Sequence, residues 1–272
     1  MYLIKIITLL RSTQLLRTIQ YNYVLFAGIM AAEGGVKRAR TDGNSAEVAT
    51  PVLYGYWRST TSWRVRLGLE FKGIKYDTQS VHLVKNGGEQ FSEDYSKRNP
   101  MRQVPTLEID GASLAQSMAI LEYLEDSRPN VGKSLLPADK IARAHARNLA
   151  NIIACDTHPV QNLRVLLRIA DMTEGDAAAK GKAKQAWGNK VITGAFEAYE
   201  AILQSTAGKY SVGDEVSLAD VCLVPQVYNA VTKFAVDMQK YPVMQRVHDA
   251  LVELPEFKAA HPDSQPDAVQ PQ

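Results

Sequence analysis

The run Arg58-Ser59-Thr60-Thr61-Ser62-Trp63-Arg64-Val65-Arg66 gathers hydroxyls and guanidinium groups where a short apolar strand gives way to a helix. A helix N-terminus leaves backbone N–H groups unpaired and carries the positive end of the helix dipole, so it favours an anion. Hydroxyls can donate hydrogen bonds to a thiolate, and arginines can hold carboxylates through paired N–H donors. Neither cysteine of the chain, Cys155 or Cys222, is near this run. Thiol chemistry at this point therefore requires a thiol that arrives with a ligand.

Other residues have both a plain reading and a functional one. Val104-Pro105 stands at a strand start, where proline interrupts a ladder, and an ordinary trans edge proline is the plain reading. Ser117 is a good helix N-cap, and its helix N-terminus also suits a carboxylate. Gln90 alone reads as a surface residue. His158, in Asp156-Thr157-His158-Pro159, reads as a structural histidine. Ser217-Leu218-Ala219-Asp220 is a capping box that opens an apolar helix, a structural role.

The elements that must position these residues alternate through the first part of the chain. Residues 51–56 read as a strand and 59–72 as a helix stopped by Lys72-Gly73. Val65, Leu67, Leu69 and Phe71 alternate as a strand would. Trp63, Leu67 and Phe71 also fit i, i+4 spacing, and a crossover is needed to reach the next strand, 75–82. A right-handed βαβ unit follows. Residues 91–99 form a short helix or loop. Strands 104–109 and 112–114 are joined by the hairpin pair Asp110-Gly111, and a helix spans 117–127. After the linker-like stretch 129–138 everything reads helical, roughly 139–171, 181–206, 217–235 and 241–254.

Composition bounds the rest. The 272 residues, 46% hydrophobic and 22% charged, suit a soluble globular protein with one large core or two modest ones. The net charge of +2 is uneven: residues 1–47 carry six Lys/Arg against three Asp/Glu, leaving 25 against 26 in the body. A near-neutral body offers no nucleic-acid footprint. Two cysteines without metal-like spacing predict reduced, buried thiols in an intracellular protein and no metal site.

The first 32 residues contain no acid, as in a mitochondrial transit peptide. However, Lys5, Arg11 and Arg17 are spaced at about 240° per step around a helix, which gives poor amphipathicity. Apolar runs there are too interrupted for a membrane span. A cytoplasmic location is expected, with mitochondrial import the lesser alternative.

Residues 59–66 resemble the Ser-Ser-Cys-x-Trp-Arg-Val-Arg signature of the zeta class of cytosolic glutathione transferases, whose activity is maleylacetoacetate isomerisation. Asn99-Pro100-Met101-Arg102-Gln103-Val104-Pro105-Thr106-Leu107, Gln116-Ser117-Met118-Ala119-Ile120, Pro159-Val160-Gln161-Asn162-Leu163-Arg164 and Gly213-Asp214-Glu215-Val216-Ser217-Leu218-Ala219-Asp220 are similar to the same class. The resemblance covers about residues 50–262. It implies an α/β plus all-α fold, a thioredoxin-like N-terminal domain followed by a helical C-terminal domain. The expected organisation is an N-terminal extension, disordered in part, at 1–48; a glutathione-binding domain at 49–128; a linker at 129–138; a helical substrate domain at 139–262; and a loose tail at 263–272.

By the same resemblance the cofactor is glutathione, the substrate a diketo acid with carboxylates, and the assembly a homodimer. Ser59, Thr60 and Thr61 take the catalytic hydroxyl positions, with Ser59 stabilising the thiolate. Ser62, Trp63, Arg64 and Gln90 are implied glutathione contacts. So are Val104 and Pro105, the latter with a cis bond, and Gln116 and Ser117 at the γ-glutamyl end. His158, Asn162, Leu163 and Arg164 would contact it from the helical wall, with His158 serving this pocket or the partner's. Arg58, Arg64 and Lys233 are implied carboxylate holders, Lys233 standing where an arginine is expected. Thr61 occupies the family's cysteine position. Threonine is not a nucleophile without a base, so the protein's own thiol is not an essential participant.

The implied reaction is reversible addition of the glutathione thiolate to a cis double bond. Two alternatives are a broader transferase or dehalogenase acting on small α-halo acids, and a catalytically silent interaction module. The absence of cysteine from the N-terminal domain argues against a glutaredoxin-like disulfide reductase.

Overall fold

In a computed structural model, which describes residues 49–268, β1 (Val52–Gly55) lies inside a four-stranded sheet of order β2-β1-β3-β4. The expectations for residues 1–48 and for 269–272 lie outside the described residues. Strand β2 (Asp77–Ser80) is parallel to β1, β3 (Thr106–Ile109) is antiparallel to β1, and β4 (Ala112–Ala115) is antiparallel to β3. The parallel pair needs a crossover, and α1 (Thr60–Lys72) supplies it. Helices α2 (Glu93–Arg98) and α3 (Ser117–Ser127) complete this part. Asp110 and Gly111 both have positive φ, 53° and 75°, as a tight primed hairpin turn requires.

The alternating apolar pattern of α1 has a physical explanation: the helix is buried on two sides. Val65 and Leu69, one turn apart, pack on Leu53, Leu107 and Ile109 of the sheet with Ile120 and Leu124 of α3. Trp63, Leu67 and Phe71 face the other way and join the core of the helical part. Ser59 caps the helix start, its Oγ accepting from Ser62 N at 3.2 Å, and Gly73 ends it at φ 63°.

The helical part comprises α4 (Lys140–Asn151), α5 (Leu163–Asp171), α6 (Ala177–Thr206), α7 (Leu218–Phe234), α8 (Pro242–Val252) and α9 (Pro255–Ala260). The single helix expected over 139–171 is broken. A π-turn over Ile152–Thr157 is followed by a non-helical stretch to Asn162, because Pro159 lacks the N–H that would continue the ladder. Helix α7 starts on Ser217, whose N and Oγ both donate to Asp220 Oδ2 at 2.8 and 3.0 Å. None of these helices is long and apolar enough to cross a membrane.

Residues 129–138 form no helix or strand, yet Leu135 is buried and its N–H donates to Glu125 Oε1 at 3.0 Å. The last described residues are also held. The part of the expected loose tail that is described, 263–268, begins in a 3-10 turn, and Asp267 Oδ2 accepts from Trp57 N and Ser80 Oγ at 3.0 and 2.9 Å. Proline spacing suggested looseness. The aspartate supplies an anchor that spacing does not reveal.

Candidate active site

The strand-to-helix turn after β1 delivers Arg58 and Ser59 to the mouth of a cavity of about 600 Å³ between the sheet part and the helical part. Ser59 is held in extended backbone conformation by its capping role, with its N–H donating to Tyr56 O at 2.9 Å. Its Oγ lies 2.9 Å from Thr61 Oγ1, which donates to Val104 O at 3.0 Å. The Val104–Pro105 peptide is cis. The N–H groups of Thr60 and Thr61, in the first turn of α1, find no acceptor among the described residues. An incoming anion can take both.

A second cavity of about 250 Å³ adjoins the first, and Thr61, Val104, His158, Asn162 and Arg164 line both. The larger carries Gln90, Leu163, Arg58 and Lys233; the smaller carries Arg64, Pro105, Gln116 and Ser117. The two together contain five cationic side chains, Arg58, Arg64, Arg102, Arg164 and Lys233, and no aspartate or glutamate. Such a field concentrates small anionic ligands. Lys233 has its pKa lowered by burial and then by Arg58 and Lys184.

Arg64, implied both as a glutathione contact and as a carboxylate holder, does not share the larger cavity with Arg58 and Lys233. It is 1% exposed and lines only the smaller cavity. Its single polar contact is with Ser117 Oγ at 3.4 Å, and Nε and Nη2 have no partner. Burial lowers its pKa. A buried guanidinium without an anion is strongly destabilising, and a carboxylate beside Ser117 would relieve it. Gln116, at the start of α3, has φ 69°, a conformation that costs a residue with a Cβ and recurs at ligand clamps. Gln90 is buried, donating to Leu83 O at 3.3 Å, with its Oε1 unpartnered.

Two of the implied glutathione contacts in the motif line neither cavity. Ser62 is buried under the turn, its Oγ accepting from Tyr56 N at 3.5 Å. Trp63 is 2% exposed and packs edge-on against Tyr228 and His261. Helical rotation turns both away from the wall that Ser59 and Thr61 form. Cys155, expected to be buried, is exposed and lines the smaller cavity; Cys222 is buried. His158 lines both of this chain's own cavities. Burial, then the charges of Arg64 and Lys233, push its pKa down to about 3, so its imidazole is neutral at physiological pH.

Reasoning from sequence missed Arg102, Asn229 and Gln161 as cavity residues. Arg102 lies within the Asn99–Leu107 motif, in a turn where its φ is 53°. Gln161 is buried and accepts from Asn229 Nδ2 at 3.0 Å, a pairing between distant segments that carries no local signal. Among the described residues no group of three or more His, Cys, Asp or Glu is placed to hold a metal ion.

Residues 49–126 match the family model described as glutathione S-transferase, N-terminal domain, and residues 166–260 the one described as glutathione S-transferase, C-terminal domain. The chain is 48% identical over 221 residues to maleylacetoacetate isomerase of Rattus norvegicus, covering 81% of this chain and 96% of that one. It belongs to the zeta-class glutathione transferase family.

The zeta-class assignment extends to solved structures. A holo maleylpyruvate isomerase, a bacterial zeta-class transferase, superposes with a TM-score of 0.74 at 40% identity, covering 80% of this chain and 100% of that one. Maleylacetoacetate isomerase from Anaeromyxobacter dehalogenans 2CP-1, with glutathione bound in its active site, gives 0.70 at 43% identity over 81% and 98%. The thioredoxin-like domain and the helical domain read from the sequence are the architecture of this family.

Proposed function

We propose that this chain catalyses the glutathione-dependent cis–trans isomerisation of 4-maleylacetoacetate to 4-fumarylacetoacetate, a step of tyrosine and phenylalanine breakdown, as a cytoplasmic homodimer. One observation carries the reading. A hydroxyl-rich helix N-terminus opens onto a cavity with four cationic side chains and no carboxylate of its own. Such a site takes an anionic nucleophile and a dicarboxylate together.

The residues fit glutathione. Ser117 and the unpartnered Nε and Nη2 of Arg64 form a receptor for the γ-glutamyl carboxylate. Val104, which lines both cavities, would offer its backbone to an extended cysteinyl residue, and Gln90 has a free acceptor. Bound there, glutathione supplies a thiolate that adds to the cis double bond and leaves again after rotation about the resulting single bond. Ser59 and the free N–H groups of Thr60 and Thr61 hold the negative sulfur in place. Arg58, with Lys233 and Arg164, holds the substrate carboxylates and orients the double bond toward Ser59. His158, neutral, offers a donor or acceptor at the junction of the two cavities without adding charge.

Turnover of maleylacetone with and without glutathione tests the reading. Isomerisation that requires glutathione and leaves its concentration unchanged supports it. Consumption of glutathione would instead indicate a conjugating transferase or a dehalogenase of α-halo acids, and no turnover with no retention on glutathione resin would indicate a silent module.

A further inference from the structure

The residues around the start of α1 are held from outside the site by residues 260–267. Trp57 immediately precedes Arg58, and both of its backbone groups are taken. Its N–H donates to Asp267 Oδ2 at 3.0 Å, and its carbonyl accepts from Arg66 Nη2 at 3.0 Å. Arg66, 2% exposed, spends its Nε on Ala260 O at 3.0 Å, so the same side chain ties the turn to the end of α9.

The Asp267 oxygen that holds Trp57 also accepts from Ser80 Oγ at 2.9 Å. Ser80 ends β2, and the loop that follows contributes Leu83, Val84, Gly87, Gln90 and Phe91 to the cavity wall. One carboxylate oxygen thus joins the roots of two loops, one carrying Arg58 and Ser59, the other carrying Gln90. The chain reaches this point under control. His261 packs edge-on against Trp63 and Tyr228, with ring centroids 5.2 and 5.6 Å away, and Gln265 Nε2 donates to Ala259 O and His261 O at 3.0 and 2.9 Å.

We infer that residues 261–267 form a strap that sets the aim of Arg58 and the spacing of the two loops, with Asp267 as the positioning residue for the substrate carboxylate. Asp267 lines neither cavity, so it acts through Trp57 and Ser80. Ser59 keeps its own anchors, Tyr56 O and Ser62 N, so glutathione binding depends on the strap much less than substrate binding does.

The inference rests on the isomerase reading, and its test separates the two. In the full chain, Asp267→Ala raises the KM for maleylacetone about tenfold and the KM for glutathione by less than about twofold, the loss expected for a charge-assisted hydrogen bond. Asp267→Asn, which keeps a side-chain oxygen, stays within about threefold of wild type for both. Hydrogen exchange of the Trp57 amide, read without any substrate, quickens about tenfold in the alanine variant. A Trp57 amide that exchanges at the wild-type rate overturns the strap, even if the wild-type chain proves not to be an isomerase. Faster exchange or a lower melting point with both KM values unchanged leaves Asp267 a structural residue only and overturns its positioning role. A wild-type chain inactive on maleylacetone defeats the isomerase reading, and with it the substrate role of the strap.

Discussion

Ser59 and Thr61 share one hydrogen bond at 2.9 Å, and its direction follows from a third residue. Thr61 has a single hydroxyl hydrogen, and it goes to Val104 O at 3.0 Å. Ser59 is therefore the donor, and Thr61 is a relay acceptor. On arrival of a thiolate, the Ser59 hydrogen has only to swing from Thr61 to the sulfur. Thr61 is thus a holder of Ser59 and not a nucleophile. Thr61→Val, which keeps the shape and removes the hydroxyl, is expected to reduce glutathione-saturated turnover less than about fivefold, the worth of one neutral hydrogen bond. Steady-state assays of the purified variant check this, and a loss of 100-fold or so would make Thr61 a chemical participant.

Arg58 and Lys233 line the larger cavity with no carboxylate opposite them. Replacing either by alanine removes an attraction for the substrate and leaves the glutathione end untouched. The KM for maleylacetone should rise about 10- to 100-fold, with the KM for glutathione nearly constant. Lys233→Arg restores paired donors where lysine is a point charge, and should lower the KM for maleylacetone below that of wild type. Inhibition by small dicarboxylates should weaken as salt is added, which a titration series would show.

His158 provides a pH signature. Its folded pKa, about 3, is below the ordinary histidine value, so the folded state holds fewer protons than the unfolded chain between about pH 3 and 6.5. The neutral imidazole is compatible with full stability above about pH 6.5, and stability is lost as pH falls through that window. His158→Asn should flatten this part of the stability profile. NMR titration of His158 should show no protonation down to about pH 5. A midpoint near 6.5 would contradict a buried ring that feels the charges of Arg64 and Lys233.

Lys72 and Glu125 form a buried ion pair at 3.0 Å that joins α1 to α3. Glu125 also accepts from Leu135 N and from Ser134 Oγ at 2.7 Å, and Lys72 donates to Arg128 O at 3.3 Å. Glu125→Ala strands a buried ammonium and frees the start of the connection to the helical part. Denaturant unfolding should register a loss of about 3–5 kcal/mol. Glu125→Gln, which keeps an acceptor for Leu135, should lose less. Equal losses would show that charge pairing contributes nothing there.

Much of this architecture could be read locally. The Lys72-Gly73 stop, the Asp110-Gly111 hairpin and the Ser217–Asp220 cap are short-range signals, and each stands in the fold as expected. The hydroxyl cluster of residues 59–61 was legible because a helix start is itself a local feature. What sequence did not show depends on distant partners. Trp63 sits within the motif, yet its orientation depends on Tyr228 and His261, over 160 residues away. Cys155 reads as a small buried hydrophobe, but the π-turn over Ile152–Thr157 leaves it exposed. Arg64 reads both as a glutathione contact and as a carboxylate holder for substrate, and sequence does not choose between them. Its rotation on α1 sends it to Ser117.

The central claim is that the chain binds a borrowed thiol and holds it as a thiolate through Ser59. Titration of the ultraviolet thiolate absorbance of glutathione bound to wild type and to Ser59→Ala tests it directly. The bound thiol should ionise at least about one unit below its free value in wild type, and its pKa should return most of the way in Ser59→Ala, with glutathione still bound and kcat down about 100-fold. An identical thiol pKa in the two proteins, or wild-type kcat in Ser59→Ala, would contradict it.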